Sequence, residues 1–293
     1  MKLLAKTLHG LEEPLAKELA DLGAQHIKVG RRAVAFEGDQ RLLYRANLHL
    51  RTALRILQSI RRFRIRNEAD LYRKMQEIDW SQYLRLKDTL AVDAVANSRI
   101  FSHSKYLALK TKDAIVDQFR EKLGRRPNVN TLNPSLRINV RILDDQVDVS
   151  LDSSGESLHK RGYRTATVEA PISEVLAAGL VLLSGWQKDC DFLDPMCGSG
   201  TILIEAGMLA HNIPPNIHRE SFGFMRWPNY DAALWSAIVQ QAKENYTNFD
   251  YRLLGSDKSL GAVRKTQANA QAAGLDNKIE VQRKAFERLE PPA

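Results

Sequence analysis

Cysteine is scarce: two residues in 293, Cys190 and Cys197. Two thiols cannot build a four-thiolate zinc site, and they are too few for the disulfide framework of a small secreted domain. The seven histidines show no metal-ligand spacing, so no metal is assigned. Long apolar runs are missing as well. Nothing approaches the roughly 18 residues that cross a bilayer, and the amino-terminal MKLLAKTLHG meets charge before a signal-type segment can form. A cytoplasmic chain without a membrane partner is expected. Low-complexity tracts, heptads and fixed-period repeats are also lacking, which excludes coiled coils and solenoids. Acid is missing from one stretch: residues 41–66 hold eight arginines and no Asp or Glu.

What is present is ordinary in bulk and uneven in distribution. Hydrophobic residues make up 44% and charged residues 27%, as in a globular chain, and 293 residues are about twice a typical ~150-residue domain. At least two cores are expected. The net charge of +8 suits a polyanionic partner. It divides sharply, because residues 1–164 carry 31 basic and 20 acidic residues whereas the remaining 129 carry 12 and 15. A basic docking half joined to a slightly acidic working half follows.

The periodicities predict an α/β chain. Residues 1–65 alternate as β-α-β-β-α-β, the split ferredoxin-like unit, with a helix over Leu11–Leu22 stopped by Gly23 and a hairpin about Gly30. Residues 66–157 read as a second small domain: a helix from Glu68, a strand over Thr89–Ala96, a long helix over Ser104–Leu123 ended by Gly124, and a hairpin about Asp144-Asp145. After Gly162 strands and helices alternate singly, which predicts a parallel Rossmann-like sheet over residues 158–293. Its strands are expected at Asp189–Leu193 (buried), Tyr251–Gly255 and Ile279–Gln282, and an aromatic insert at 211–230 is expected to pack over that sheet.

The chemistry concentrates at Asp191-Phe192-Leu193-Asp194-Pro195-Met196-Cys197-Gly198-Ser199-Gly200-Thr201, a strand running into a glycine turn and a helix. Ligands of open α/β sheets sit beyond the carboxyl ends of the strands, where this turn lies. Gly198 and Gly200 let backbone approach a ligand, and the first amides of the helix point outward. Asp194 makes the site wrong for phosphate and right for a ligand with an ammonium and hydroxyls. Asp257 closes the next strand, placed to accept from ribose hydroxyls. A nicotinamide cofactor is disfavoured: the third glycine of the dinucleotide fingerprint is Leu203, and Asp257 follows Gly198 by far more than the usual ~20 residues.

On these residues, together with Leu158-His159-Lys160-Arg161-Gly162-Tyr163-Arg164, Ala170-Pro171-Ile172 and Asn212-Ile213-Pro214-Pro215, the chain resembles the Rossmann-fold S-adenosylmethionine-dependent RNA methyltransferases that carry a THUMP domain. That family is often described as N6-adenine-specific DNA methylases and is related to the 23S rRNA guanine-N2 methyltransferase. The resemblance implies a ferredoxin-like segment, a THUMP RNA-binding domain and a class I methyltransferase domain. It implies S-adenosyl-L-methionine held by Asp194, Pro195, Met196, Cys197, Gly198, Ser199, Gly200 and Thr201, with Asp257 on the ribose. The acid that reads adenine in many relatives is replaced by Lys284-Ala285-Phe286, which leaves adenine to backbone and to stacking on Phe286. The expected Asn/Asp-Pro-Pro-Tyr/Phe catalytic segment is not matched by Glu290-Pro291-Pro292-Ala293. No residue is therefore assigned as catalytic, and the methyltransferase domain is expected to be cut after its third strand, with its catalytic segment beyond Ala293 and no turnover by this chain alone.

RNA contacts are expected from Arg62, Arg64 and Arg66 on one face of a strand, from Lys105 at a helix end, and from the junction cluster Lys160, Arg161, Tyr163 and Arg164. The expected activity is methylation of an exocyclic base amine, with guanine N2 of large-subunit rRNA favoured. The rivals are an adenine-N6 DNA methyltransferase and a non-catalytic RNA-binding protein.

Overall fold

The structure is a computed structural model that describes residues 1–167, 169 and 171–289. Ala170 and the segment Glu290-Pro291-Pro292-Ala293 lie outside the described residues. The chain opens β1 (Lys2–Lys6), α1 (Glu12–Asp21), β2 (Gln25–Gly30), β3 (Ala33–Glu37), α2 (Gln40–His49) and β4 (Arg55–Arg64). Their spatial order β2-β3-β1-β4, all antiparallel, is the expected ferredoxin-like unit. Next come α3 (Glu68–Gln76), β5 (Thr89–Asn97), α4 (Ser104–Leu123), β6 (Asn128–Val129), β7 (Leu136–Leu143) and β8 (Gln146–Asp152). Local chemistry sets the helix ends: Asp39 and Asn67 accept from the Leu42 and Asp70 amides at 2.8 and 2.9 Å, and Gly124 ends α4 at φ 66°.

The two amino-terminal units share one sheet. β4 pairs antiparallel with β8, giving an eight-stranded order β2-β3-β1-β4-β8-β7-β5-β6. The parallel β5–β7 pair is bridged by α4. Apolar residues alternate along the strands, so Leu3, Ala5, Val34, Ile56, Leu90, Ile138, Val140, Val147 and Val149 face one side and join Leu15, Leu19, Leu43, Leu71, Met75, Leu107 and Ile115 of the helices in a single core. Among the described residues the α-helices that cover this sheet, α1 to α4, lie on that core side, and the short 3-10 turn Gly223–Arg226 meets β7.

The third unit holds α5 (Glu174–Leu183), β9 (Phe192–Asp194), α6 (Thr201–Ala210), α7 (Ala232–Glu244), β10 (Leu253–Asp257), α8 (Leu260–Ala272) and β11 (Ile279–Arg283). The strands form a parallel sheet in the order β11-β10-β9. Two expectations are corrected. β9 is an edge strand with Leu193 37% exposed, since only β10 pairs with it among the described residues. The aromatic insert packs on the ferredoxin-like core instead of this sheet: Phe224 stacks on Tyr44 of α2 at 4.3 Å, and Phe222, Tyr230 and Trp235 close around the pair. A hydrophobic strip on α7 therefore belongs to the first core.

Candidate functional site

The expected ligand site assembles where β9 and β10 end side by side. Asp194 is the last residue of β9 and Asp257 the last of β10, with Gly255 opposite Asp194. The glycine turn bridges them: the Gly198 amide donates to Asp257 Oδ2 at 3.1 Å, and the Cys197 amide to the Ser256 carbonyl at 2.9 Å. Asp257 Oδ1 accepts from the Ser259 amide at 2.8 Å, which fixes the carboxylate plane while each oxygen keeps a lone pair. Gly200 caps α6 in the left-handed region at φ 82° with no side chain over the first turn, so the leading amides of α6 are free for an anionic group.

The turn has an outer and an inner side. Met196 is 71% exposed, and a Cβ added at Gly198 would meet open space. By contrast Cys197, Ser199 and Thr201 are buried, and a Cβ at Gly200 would stand 2.5 Å from Thr266. Among the expected binding residues, Asp194, Pro195, Met196 and Gly198 present atoms outward; the side chains of Cys197, Ser199 and Thr201 serve the turn. Burial pushes the Cys197 thiol up to about 11, so it is no thiolate nucleophile. Burial and the nearby Asp257 carboxylate raise the Asp194 pKa, partly offset by its bond from the Met196 amide. A half-desolvated carboxylate with one amide partner suits a ligand ammonium, and no Lys or Arg stands within residues 194–201 to favour phosphate. The donor set fits S-adenosylmethionine: carboxylates for ammonium and hydroxyls, helix amides for its carboxylate. Phe286 stands 57% exposed past β11, whose end is tied to β10 by the Lys284 amide on the Asp257 carbonyl at 3.1 Å.

Sequence reasoning missed the residues that hold the turn. Thr266 and Asn269 lie one turn apart on α8. Thr266 Oγ1 donates to the Gly198 carbonyl at 3.0 Å. Buried Asn269 donates to the carbonyls of Ser199 and Ala166 at 3.0 and 2.8 Å and accepts from the amides of Thr165 and Ala166 at 2.9 and 3.0 Å. One amide side chain thereby pins the turn to the interdomain linker. The signal in the sequence was only two polar residues on the inner stripe of an otherwise amphipathic helix.

The junction cluster is corrected most. Arg161 is 0% exposed: it pairs with Glu205 of α6 at 3.4 Å and donates to the carbonyls of Leu158 and Arg51. Tyr163, 1% exposed, donates to Glu205 at 3.0 Å. Arg164 pairs with Glu174 at 2.9 Å and donates to Thr201 Oγ1 at 3.1 Å, inside the glycine turn. Arg51, also buried, reaches the carbonyls of Met208 and Ile213. Arg51 and Arg161 dock the two halves and have no surface for RNA, whereas Arg164, with its side chain 16% exposed, is spent on partners within the methyltransferase unit. Of the other expected contacts, Lys105 is exposed, and exposed Lys160 pairs with Glu156. Arg62 and Arg64 point to the open sheet face opposite Asp148 and Gln146. Arg66 lies beyond β4 and braces Asp70 at 2.9 Å, so the three do not share one strand face.

Comparison with known proteins agrees with this architecture. Residues 2–57 match an RlmL ferredoxin-like domain, residues 66–152 a THUMP domain and residues 161–293 an RMKL-like methyltransferase domain. A Synechocystis sp. protein named "Putative RNA methyltransferase slr0064" is 40% identical over 290 residues, covering 99% of this chain and 76% of its own length. The solved structure of SMU.472, called "a putative methyltransferase complexed with SAH", shares 31% identity at a TM-score of 0.87 over 100% of this chain and 77% of that one. A Listeria monocytogenes structure named "a predicted N6-adenine-specific DNA methylase" shares 33% identity at a TM-score of 0.88 over 99% and 76%. The chain belongs to the RlmL-like methyltransferases that join a ferredoxin-like domain, a THUMP domain and a Rossmann-like methyltransferase domain.

Proposed function

We propose that this chain binds S-adenosyl-L-methionine between Asp194, Gly198 and Asp257 and serves the methylation of an exocyclic base amine of RNA in the cytoplasm, guanine N2 of large-subunit rRNA being the target favoured. The observation that carries the cofactor is the turn: two carboxylates at adjacent strand ends, a glycine open to solvent between them, and an uncapped helix start. When bound, S-adenosylmethionine supplies an electrophilic methyl group; the residues of this chain align it, with Asp194 toward the ammonium, Asp257 toward the ribose and Phe286 beside the adenine. The RNA reading is supported by the THUMP match, by the named relative and by the basic half. Segments 1–65 and 66–157 act in it as one docking platform, since they share a sheet.

Equilibrium dialysis with S-adenosylmethionine tests the site: wild type binds, and Asp194→Ala and Gly198→Val lose binding. Undiminished binding in both variants displaces the site, and no binding by wild type favours a non-catalytic RNA-binding protein. Competition between structured RNA and duplex DNA at matched salt tests the polymer. The name of the Listeria neighbour motivates a second reading, adenine N6 in DNA. Nucleoside analysis of cells lacking the gene separates the two. Loss of N2-methylguanosine from 23S rRNA supports the first, and loss of N6-methyladenine from DNA replaces it with the second.

A further inference from the structure

The helices α1, α2, α3 and α4 all pack on one side of the eight-stranded sheet, so its other side is a surface whose residues can be read from the strand register. Across the strands from β2 inward these are Lys28; Ala35 and Glu37; Lys2, Leu4 and Lys6; then Leu57, Ser59, Arg62 and Arg64; then Asp148, Ser150 and Asp152; then Arg137, Asn139 and Arg141. Small side chains at Ala35, Ser59 and Ser150 leave a depression of about 440 Å³ in the middle. Cations ring it from four strands, β2, β1, β4 and β7. Adjacent strands lie about 4.8 Å apart, so five strand steps from β2 to β7 spread these cations over roughly 24 Å.

Glu37, across from Lys2 at the edge of the depression, is the acid of this face that holds no ion pair among the described residues; the others are engaged and cations still outnumber acids. Asp148 is shared by Arg62 and by Arg141 at 4.0 Å, Asp152 holds Arg55, and Asp93 holds Arg137 at 3.1 Å. Those pairs stiffen the arginines. Among the described residues, Lys2, Lys6 and Lys28 have no carboxylate within 4.0 Å. Lys6 donates only to Asn139 at 3.3 Å, and burial together with the Arg55 and Arg141 charges holds its pKa below the usual lysine value, against the pull of Asp152 and Asp93. A counter-anion would relieve that crowding. What the face lacks is equally informative. Sheet platforms that read bases present aromatic rings for stacking. Here no outward residue of the register is Phe, Tyr or Trp, and Phe36 is 2% exposed and packed in the core. The one exposed ring that lines the depression among the described residues is His26 at its β2 edge, which makes no row of rings across the strands.

We propose that this open sheet face is a platform that grips the phosphate backbone of RNA through Lys2, Lys6, Lys28, Arg62 and Arg141, without stacking on bases. The proposal rests on the RNA reading above and assigns that RNA a surface and a mode of contact. Backbone contact of this kind positions a substrate in register and carries no sequence information, which leaves target choice to the methyltransferase half.

The test compares two triple variants of the whole chain that remove equal charge. Lys2→Gln/Lys6→Gln/Lys28→Gln empties the face; Lys17→Gln/Lys122→Gln/Lys243→Gln removes lysines from α1, α4 and α7. Fluorescence anisotropy with short labelled poly(U), poly(A) and poly(C) strands across a salt series gives affinity and slope, and dialysis with S-adenosylmethionine checks each variant's fold. The face variant is expected to lose at least about tenfold in affinity for all three polymers alike, with the salt slope reduced by about 2, near 0.7 per lost phosphate contact. The helix variant is expected to stay close to wild type. Equal losses in both variants, an unchanged slope, or a loss confined to one polymer overturns the platform. Wild type that fails to bind any RNA overturns the RNA reading itself, a result distinct from the other three.

Discussion

Gly198 and Gly200 sit two residues apart in the same turn, both at positive φ, yet their surroundings separate folding from binding. Gly198 has φ 57° and open space where a Cβ would go; Gly200 has φ 82° and Thr266 at 2.5 Å. A non-glycine residue in this region costs about 1–2 kcal/mol in backbone strain, and forcing atoms into a packed contact adds about 1–3 kcal/mol. Gly198→Ala is therefore expected to lower stability by only about 1 kcal/mol while blocking the approach of S-adenosylmethionine. Gly200→Ala is expected to cost about 2–5 kcal/mol and to lose binding with the fold. Urea titration beside equilibrium dialysis reads both, and equal destabilisation by the two would refute the distinction. Asp194 offers a pH test. Burial and the Asp257 charge raise its pKa in the folded state, so its contribution to stability is complete below the unfolded pKa and is lost as pH rises through the folded one. Asp194→Asn should then melt higher than wild type at neutral pH without ligand, match it at low pH, and bind S-adenosylmethionine poorly at both. Melting curves across pH check this; a variant less stable at neutral pH contradicts it.

At the scale of elements, α8 does more than cover the sheet. Asn269 is 1% exposed and satisfies four backbone groups of the linker and the turn. Asn269→Ala strands those groups in the interior, at a cost of about 3 kcal/mol or more, and frees the turn from the linker. Weaker S-adenosylmethionine binding at a temperature where the variant is still folded is the expected signature; binding that tracks stability alone would make Asn269 merely structural. This residue also marks where the sequence became hard to read. The strand, the glycine turn, Asp194 and Asp257 were legible because their chemistry follows from local spacing and from the rule that ligands lie at strand ends. The ferredoxin-like order was legible because helical and strand periods differ. Arg161, Tyr163 and Arg164 misled because charge in a sequence suggests solvent, whereas Glu205 and Glu174 lie 44 and 10 residues away from the arginines they neutralise. The aromatic insert misled likewise: its rings require an apolar partner, and nothing local says that the partner is Tyr44.

For the molecule as a whole, the insert and the buried arginines decide whether the halves unfold together. Phe222 and Phe224 come from the methyltransferase half but lie buried with Tyr44 in the amino-terminal core, and Arg51 crosses the junction in the opposite direction to the Met208 and Ile213 carbonyls and the Glu205 charge, while Arg161 donates back to the Arg51 carbonyl. Separating the halves would expose those rings and take the buried Arg51 guanidinium from the Met208 and Ile213 carbonyls and the Glu205 charge, a loss of about 1.5–3 kcal/mol per charged hydrogen bond. Uncoupled melting is thus opposed by both apolar and ionic terms. Trp80 reports on the amino-terminal core and Trp186 on the methyltransferase core, where its ring meets Phe192 and Phe249 at 4.9 and 5.5 Å. In variants that retain one of these tryptophans at a time, urea transitions followed by fluorescence should coincide. Phe224→Ala removes a ring stacked on Tyr44 and should cost about 3–5 kcal/mol. Because the ring sits in one core and is carried by the other half, both tryptophan transitions should move to lower urea together. A shift confined to Trp186 would show that the insert belongs energetically to its own half, and two separated transitions in wild type would show that the junction does not couple them at all.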